Sequence, residues 1–455
     1  MQTGIKYFHS LVTYSSLSML PFQGIAQEQP NIILIMTDQQ TAYAMGNRGN
    51  LNVHTPAIDE LAADGVVFTR AYCSFPLSGP SRASIMTGKM PTEIEVLEND
   101  DPLPEDEKKN SIGFKMQQAG YDCLYAGKWH IPTVEIPDKE FGFKKISGMN
   151  DPEMAYHIEK EISGKRDKPL FLVASYLNPH EICEYARSQT LHYGEIPIPE
   201  GAVFPELPPN FQATEGLSEL LTHHKKMSPK LYPTENYSEQ DWKNYLYTYY
   251  RLVERVDSHI GELIKILKKN NLYDNSVIIF TSDHGDGVAA HKWNQKRALF
   301  EESVQVPLII KLSKENNKET VNRDLHGLVN IGIDLYPTIC DYANVPIPEG
   351  LNGVSLKGIL EGIREPHQSI FIETNFDAIN GRSWCVIKDQ YKYVFYRFFK
   401  NREQLFNLSN DKGETTNLMY DSHYRHIYDE MKTELLMHAR RVNDKMLIKD
   451  LNFGY

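Results

Sequence analysis

The chain predicts an α/β protein: a central, mostly parallel sheet flanked by helices, then a smaller C-terminal subdomain of antiparallel sheet and helix. Three observations predict it. The runs Asn31–Met36 (NIILIM), Tyr121–Ala126, Pro169–Tyr176 and Ser276–Phe280 are continuously apolar over a strand's length, as strands buried on both faces are. Helical patterns separate them. After about Gly350 the pattern changes to short alternating stretches rich in aromatic and β-branched residues, which marks antiparallel pairing.

Taken in order, residues 1–26 read as a secretory leader. Lys6 and His9 form its basic end, Leu11 to Phe22 its apolar stretch, and Gly24-Ile25-Ala26 a small-residue cleavage site. No Cys stands at the cut, so a lipid anchor there is not expected, and no later run is long enough to span a bilayer. Asn31–Met36 is the first strand, and Asp38 falls at its C-terminal end. HTPAIDELAADG then reads as a helix capped by Thr55, opened by Pro56 and closed by Gly65. Val66-Val67-Phe68 resumes as strand.

The next stretch, SFPLSGPSRASIMTG at Ser74–Gly88, is the one that promises chemistry. Pro80 suits the first turn of a helix, Ala83, Ile85 and Met86 form its apolar face, and Gly88 suits the position past its end. Ser78 therefore sits at a helix N-terminus, beside unpaired N–H groups and the positive end of the dipole, with Arg82 one turn along. Residues 95–109 read as an acidic surface loop, and Ser111 to Ala119 as a short amphipathic segment. The second strand ends in Gly127-Lys128-Trp129-His130, and the third runs into Asn178-Pro179-His180. From Glu181 to about Gln240 weak periodicity predicts a long loop at the rim of a site. Asp241–Asn270 is a helix whose apolar stripe runs from Tyr245 and Tyr249 to Leu267. The fourth strand delivers Ser282-Asp283-His284-Gly285-Asp286, followed by His291, Lys292, Lys296 and a strand at Val306–Lys311. Beyond Gly350, Ser369–Glu373 and Ser383–Phe399 read as sheet and Tyr424–Val442 as helix.

Asp38, His130, His180 and Asp283-His284 thus each follow the C-terminal end of an apolar strand, the edge where open α/β sheets bind ligands. Asp38, Gln39 and Asp283 make an oxygen-rich set suited to Ca²⁺ or Mg²⁺, and His284 adds a nitrogen compatible with Mn²⁺ or Zn²⁺. At 455 residues the chain is long enough for a large core, and its net charge of -12 excludes nucleic acid or an anionic membrane as the partner. Its five cysteines show no ligand spacing and read as small buried residues, with one disulfide left open.

Ser78-Gly79-Pro80-Ser81-Arg82-Ala83-Ser84 resembles the signature of the type I sulfatases in its serine form. Gly127-Lys128-Trp129-His130 resembles that family's second signature. Asp283-His284-Gly285, Lys296 and Val306-Pro307-Leu308 resemble its later conserved stretch, and the likeness continues to Tyr391-Lys392-Tyr393 and Glu403–Leu408. The resemblance implies an alkaline-phosphatase-like fold: a leader 1–26, a catalytic domain 27–350 and a C-terminal subdomain 351–455. It implies a sulfuric ester hydrolase whose Ser78 is oxidised to formylglycine by a maturase before export, with the periplasm of a Gram-negative bacterium as the destination.

The resemblance also implies roles. Asp38, Gln39, modified Ser78, Asp283 and His284 would ligate one divalent cation, Ca²⁺ first, with Mg²⁺ or Mn²⁺ as alternatives. Arg82, Lys128 and Lys296 would hold the modified residue and the sulfate oxygens. His180 would protonate the leaving alcohol, and His130 would take the proton that frees sulfate. His291 and Arg382 are further candidate substrate contacts, although a structural ion pair fits Arg382 equally. The substrate implied is a sulfated carbohydrate such as a glycosaminoglycan or mucin unit.

Gln39 and His284 depart from the family's usual Asp and Asn, and this Asp-Gln and Asp-His pattern resembles the related phosphonate and phosphodiester hydrolases. Those are the alternative, and an inactive sulfoglycan-binding relative is a second one. Lys128, Lys296 and Arg82 stand where a second metal's ligands would be needed for a phosphomonoester dianion, which favours a monoanionic sulfate ester. His223-His224-Lys225-Lys226 reads as a solvated loop and Lys292-Trp293 as a packed amphipathic pair.

Overall fold

The computed structural model describes residues 29–131, 140–314 and 322–453. The leader expected at 1–26 lies outside these residues. Strands β1 (Asn31–Asp38), β2 (Val66–Tyr72), β3 (Asp122–Gly127), β4 (Lys144–Ser147), β5 (Leu170–Pro179), β6 (Ser276–Ser282), β7 (Leu308–Lys311) and β8 (Arg323–Asn330) form one sheet in the order β4-β3-β5-β1-β6-β7-β2-β8. All neighbours are parallel except β7, which runs antiparallel to both β6 and β2.

The continuous apolar runs have a direct cause. In β1, Ile32, Leu34 and Met36 enter one core while Ile33 and Ile35 enter another on the opposite face. Side chains alternate across a strand, so a strand covered on both faces needs no polar positions. The helix Glu239–Lys269 covers the second face with Val256, Ile260, Leu263, Ile264 and Leu267. It starts earlier than its apolar stripe because Ser238 caps it, in a reciprocal box with Asp241. The helix Ser78–Thr87 buries Ala83, Ile85 and Met86 in the first core, against the helix Ile331–Tyr342.

The smaller sheet is antiparallel throughout: β9 (Ser369–Thr374), β10 (Ser383–Lys388), β11 (Tyr391–Tyr396) and β12 (Glu403–Asn407), in the order β12-β11-β10-β9. Its residues Trp384, Val386, Tyr393 and Phe395 pack beneath Tyr428, Met431 and Leu435 of the helix Arg425–Arg441. Cys385, Ile387, Val394 and Tyr396 face the other way and join the main core, so the subdomain is packed onto the large sheet's layer.

Several local expectations change. Thr55 stands at the N-cap of the helix Pro56–Ala63 but does not cap it. Its hydroxyl accepts from Gly46 N at 2.8 Å, and the free N–H groups of Ala57 and Ile58 are taken by the buried Asp257 carboxylate at 3.2 and 2.8 Å. The 181–240 stretch is not all loop: it holds the helices Ile182–Ala186 and Glu219–Met227. The 95–109 stretch is not merely surface, because Asn99 Oδ1 accepts from Gly79 N at 2.9 Å and Glu98 pairs with Arg297. All five cysteines are buried free thiols. Among the described residues no helix is long and apolar enough to cross a membrane.

Candidate active site

The site is built where β1, β3, β5 and β6 end. Asp38 is the last residue of β1, and Gln39 leaves the strand in the left-handed region at φ 70. That turn lets Gln39 N donate to Asp283 Oδ1 at 3.1 Å, locking the loop after β1 to the loop after β6. β3 delivers Lys128 through Gly127, at φ 94, where a Cβ would fall 1.9 Å from the Ser175 carbonyl oxygen of β5. Only glycine permits that close approach.

Ser78 is the first residue of its helix, after an extended Leu77. Its hydroxyl lies 3.2 Å from Asp38 Oδ2 and 3.0 Å from His284 Nε2. The His284 Nδ1–H donates to the Gly285 carbonyl at 2.8 Å, which leaves a lone pair on Nε2 facing Ser78. Ser81 anchors the same helix by donating to the Asp283 carbonyl at 2.6 Å.

Arg82 ties the group together. Its Nε meets Asp283 Oδ2 at 2.8 Å, its Nη2 meets Asp38 Oδ2 at 2.9 Å, and its Nη1 donates to Ser175 Oγ and the Lys128 carbonyl at 2.7 and 3.0 Å. All of this is buried, so Arg82 orients the carboxylates rather than reaching outward to a substrate. Lys128 Nζ stands 2.7 Å from Asp38 Oδ2. Burial alone would raise the Asp38 carboxyl, but Lys128, His180, Arg82 and Lys296 outweigh it and hold it well below the usual carboxylate range. Burial also draws Lys128 below its ordinary value, only partly offset by Asp38.

Lys296 joins through Gln39, whose Oε1 accepts from Lys296 Nζ at 2.9 Å while its Nε2 donates to Asp286 Oδ2 at 2.7 Å. Gln39, expected among the metal ligands, is bonded here to a lysine and a carboxylate. The amide is committed at both ends, and it serves to position a lysine. Asp286 is fully buried and also accepts from Tyr245 OH, Val288 N and Gln295 N at 2.9, 2.8 and 3.1 Å. Burial pushes its carboxyl up to about 6.

His130 and His180 stand at the edge of the cluster, each keeping part of its surface exposed, whereas Ser78 is fully enclosed. Burial, then Lys128, pushes His130 down to about 3, and burial with Lys128 and Lys296 holds His180 well below its usual value. His130 is therefore a neutral imidazole as the site stands. His180 Nδ1 lies 3.8 Å from Glu184.

Two expected substrate contacts are not brought to the cluster. His291 is buried with its ring stacked on Phe300 at 4.2 Å, its Nδ1 donating to the Ala213 carbonyl at 2.6 Å and its Nε2 facing Asn210 at 3.4 Å. Arg382 pairs with Asp444 at 3.1 Å and Glu373 at 3.7 Å and donates to Thr92 Oγ1 at 2.7 Å, the structural ion pair. Three residues were missed. Asp286 carries a readable signal, being the second carboxylate of the same loop after β6. Tyr245 and Tyr249 do not, since their helical spacing is that of core residues. Their hydroxyls nevertheless hold Asp286 and the Gln39 carbonyl, the latter at 2.8 Å.

A divalent cation fits the donor set. Asp38, Asp283 and His284 each offer a ligand atom within 4.8 Å of the others, two carboxylates and an imidazole lone pair, all buried. Asp38 and His284 meet the Ser78 hydroxyl, Arg82 and Lys128 pair with Asp38, and Lys296 stands beyond Gln39, so buried charges of both signs are gathered beside one serine at a helix N-terminus.

Comparison with known proteins agrees. The family profile described as Sulfatase matches residues 30–345, and one described as N-sulphoglucosamine sulphohydrolase, C-terminal, matches residues 289–441. The chain is 27% identical to the Delta 4,5-hexuronate-2-O-sulfatase of Bacteroides thetaiotaomicron, covering 92% of this chain and 90% of that one. The solved structure of a 2-O GAG sulfatase superposes with a TM-score of 0.78 at 26% identity, covering 92% and 94%. The phosphonate monoester hydrolase of Agrobacterium radiobacter shares the fold, with a TM-score of 0.75 at 21% identity over 90% and 96% of the two chains.

Proposed function

The chain belongs to the sulfatase family, within the alkaline-phosphatase-like fold, and from that premise we propose that it hydrolyses a sulfate ester on a carbohydrate, a glycosaminoglycan or mucin unit, after export to the periplasm. The observation that carries the reading is the Ser78 hydroxyl, 3.2 Å from Asp38 and 3.0 Å from His284 at the head of a helix, with Arg82 and Lys128 paired to Asp38.

A plain serine hydroxyl is a weak nucleophile. Its oxidation to formylglycine by a maturase, followed by hydration, would supply two hydroxyls on one carbon, one to attack sulfur and one to expel sulfate. Asp38, Asp283 and His284 would hold a divalent cation, Ca²⁺ by the oxygen-rich set with Mg²⁺ or Mn²⁺ as alternatives, which would make those hydroxyls more acidic.

The chain's own residues do the rest. Lys128 and Lys296 stabilise the charge that grows on the sulfate oxygens, and Arg82 keeps both carboxylates aimed. His180 is held below its usual value by burial first and by Lys128 and Lys296 next; an incoming anion opposes the lysines, and His180 in its protonated form gives its proton to the departing alcohol oxygen as the S–O bond breaks. His130, neutral from the start, takes a proton from residue 78 as sulfate leaves.

Gln39 and His284 keep a second reading in view, that of a phosphonate monoester or phosphodiester hydrolase. Charge disfavours a phosphomonoester dianion but does not separate two monoanions. The test is a matched pair, one sugar sulfate and the corresponding phosphodiester, given to protein co-produced with a maturase. Turnover of the sulfate at least a hundredfold faster is the expected result, and preference for the diester would replace this reading with the second.

A further inference from the structure

We infer that the surface running outward from Lys296, made by the helix Glu219–Met227 and the tip between β11 and β12, binds a further stretch of a sulfated polysaccharide chain. The inference rests on the sulfatase reading for the class of polymer. It extends the site from the reacting sugar to the chain that carries it.

The surface is assembled from segments distant in sequence. The tip docks on the helix through Glu219 N donating to the Lys400 carbonyl at 3.2 Å, and β12 holds the segment before that helix through Gln404 Nε2 donating to the Gly216 carbonyl at 3.0 Å. Phe399 stacks on His223 at 4.2 Å and 14°, and Phe398 and Phe399 remain 38% and 41% exposed. Phe399 is held at φ 69, a region that bulky residues avoid, so the tip spends backbone strain to present an aromatic ring to water. Lys226 on the helix, Lys400 on the tip and the neighbouring Lys230 and Lys292 are exposed, with Lys292 Nζ 5.4 Å over the Phe211 ring.

The patch is linked to the catalytic cluster through the buried Trp293. Lys225 Nζ donates to the Lys292 carbonyl at 2.7 Å and sits 5.2 Å over the Trp293 ring, and Trp293 Nε1 donates to the carbonyl of Lys296 at 3.2 Å. The carboxylates nearby leave a local excess of positive charge: Glu219 stands 4.0 Å from Lys400, Asp377 pairs with Arg297, and Glu235 faces Lys225. In a chain of net charge -12 such an excess is local and specific. Exposed aromatic faces pack on the C–H faces of sugar rings, and ammonium groups meet sulfates. His224, by contrast, is buried against Tyr232 and Phe376 and belongs to the support, which corrects the solvated reading of that histidine.

The test uses the Ser78→Ala chain, so that binding is read without turnover, with heparin as the sulfated probe and dextran as the uncharged one. Adding Lys226→Ala, Lys292→Ala and Phe399→Ser, all at exposed positions, is expected to weaken heparin binding roughly tenfold and to leave thermal unfolding unchanged. In the matured enzyme the same three changes should raise KM for a sulfated oligosaccharide by a similar factor. The kcat/KM for a small aryl sulfate should stay the same. Undiminished heparin binding by the triple variant would overturn the inference, and so would equal affinity for polyaspartate. If matured protein released no sulfate while these side chains still governed heparin binding, the surface would stand and the hydrolytic reading would fall.

Discussion

Replacing Arg82 by methionine tests how the site is held. The substitution keeps an unbranched apolar stem and removes a guanidinium that spans two fully buried carboxylates at 2.8 and 2.9 Å. Asp38 would keep Lys128, while Asp283 Oδ2 would lose its ion-pair partner. Each charge-assisted bond contributes about 1.5–3 kcal/mol, and breaking a buried pair by removing one partner costs roughly 3–5 kcal/mol. The two bonds share one cation and do not add fully, so a loss of about 4 kcal/mol is expected in chelator.

Asp38 titrates below its unfolded value, so its contribution is present above about pH 4 and is lost as pH falls through the native pKa. The deficit of the variant should therefore narrow in acid. A divalent cation supplies the missing charge, so excess calcium should stabilise the variant more than the parent. Urea unfolding followed by tryptophan fluorescence, in chelator and in calcium, measures all three effects. A loss below about 1 kcal/mol with no difference in calcium response would refute the claim that Arg82 clamps two ionised carboxylates.

His180→Ala should slow esters of poorly acidic sugar alcohols by about 10²–10³ but activated aryl sulfates far less, and equal losses on both would remove the acid role. Asp286→Ala should release Gln39 and lower kcat/KM roughly tenfold, and Tyr245→Phe should have a smaller effect in the same direction. Unchanged kinetics in both would show that Lys296 needs no positioning. His438 lies buried against Phe371 at 3.9 Å, and burial pushes it down to about 3. Its folded pKa is below the unfolded one, so stability is lost as pH falls below about 6.5. Between pH 7 and 5 the parent should lose about 2 kcal/mol more than His438→Leu, and parallel profiles would contradict the assignment.

Most of the architecture could be read because it follows from which surfaces are covered. Ile32 to Met36 are apolar at every position since both faces of β1 are packed, and Ser383 to Tyr396 alternate in their environment between two different cores. Asp38, His130, His180 and Asp283-His284 could be placed at one sheet edge because each follows the end of an apolar strand, and Ser78 at a helix N-terminus because Pro80 opens that helix. What could not be read depended on partners far along the chain. Thr55 fails to cap because Asp257, two hundred residues later, reaches the free N–H groups first. His291 has the composition of a site residue and the surroundings of a core one, because Phe300 and Ala213 close on it. The bonds of the Gln39 amide to Lys296 and Asp286 could not be read either, because those partners lie some two hundred and fifty residues along the chain.

The most direct measurement is the mass of the Ser78 peptide from protein made with a maturase and shown to release sulfate from a sugar sulfate. The account requires that peptide to be lighter by one hydrogen molecule, with activity rising in proportion to the fraction converted. Full activity from protein whose residue 78 is unmodified serine would contradict it.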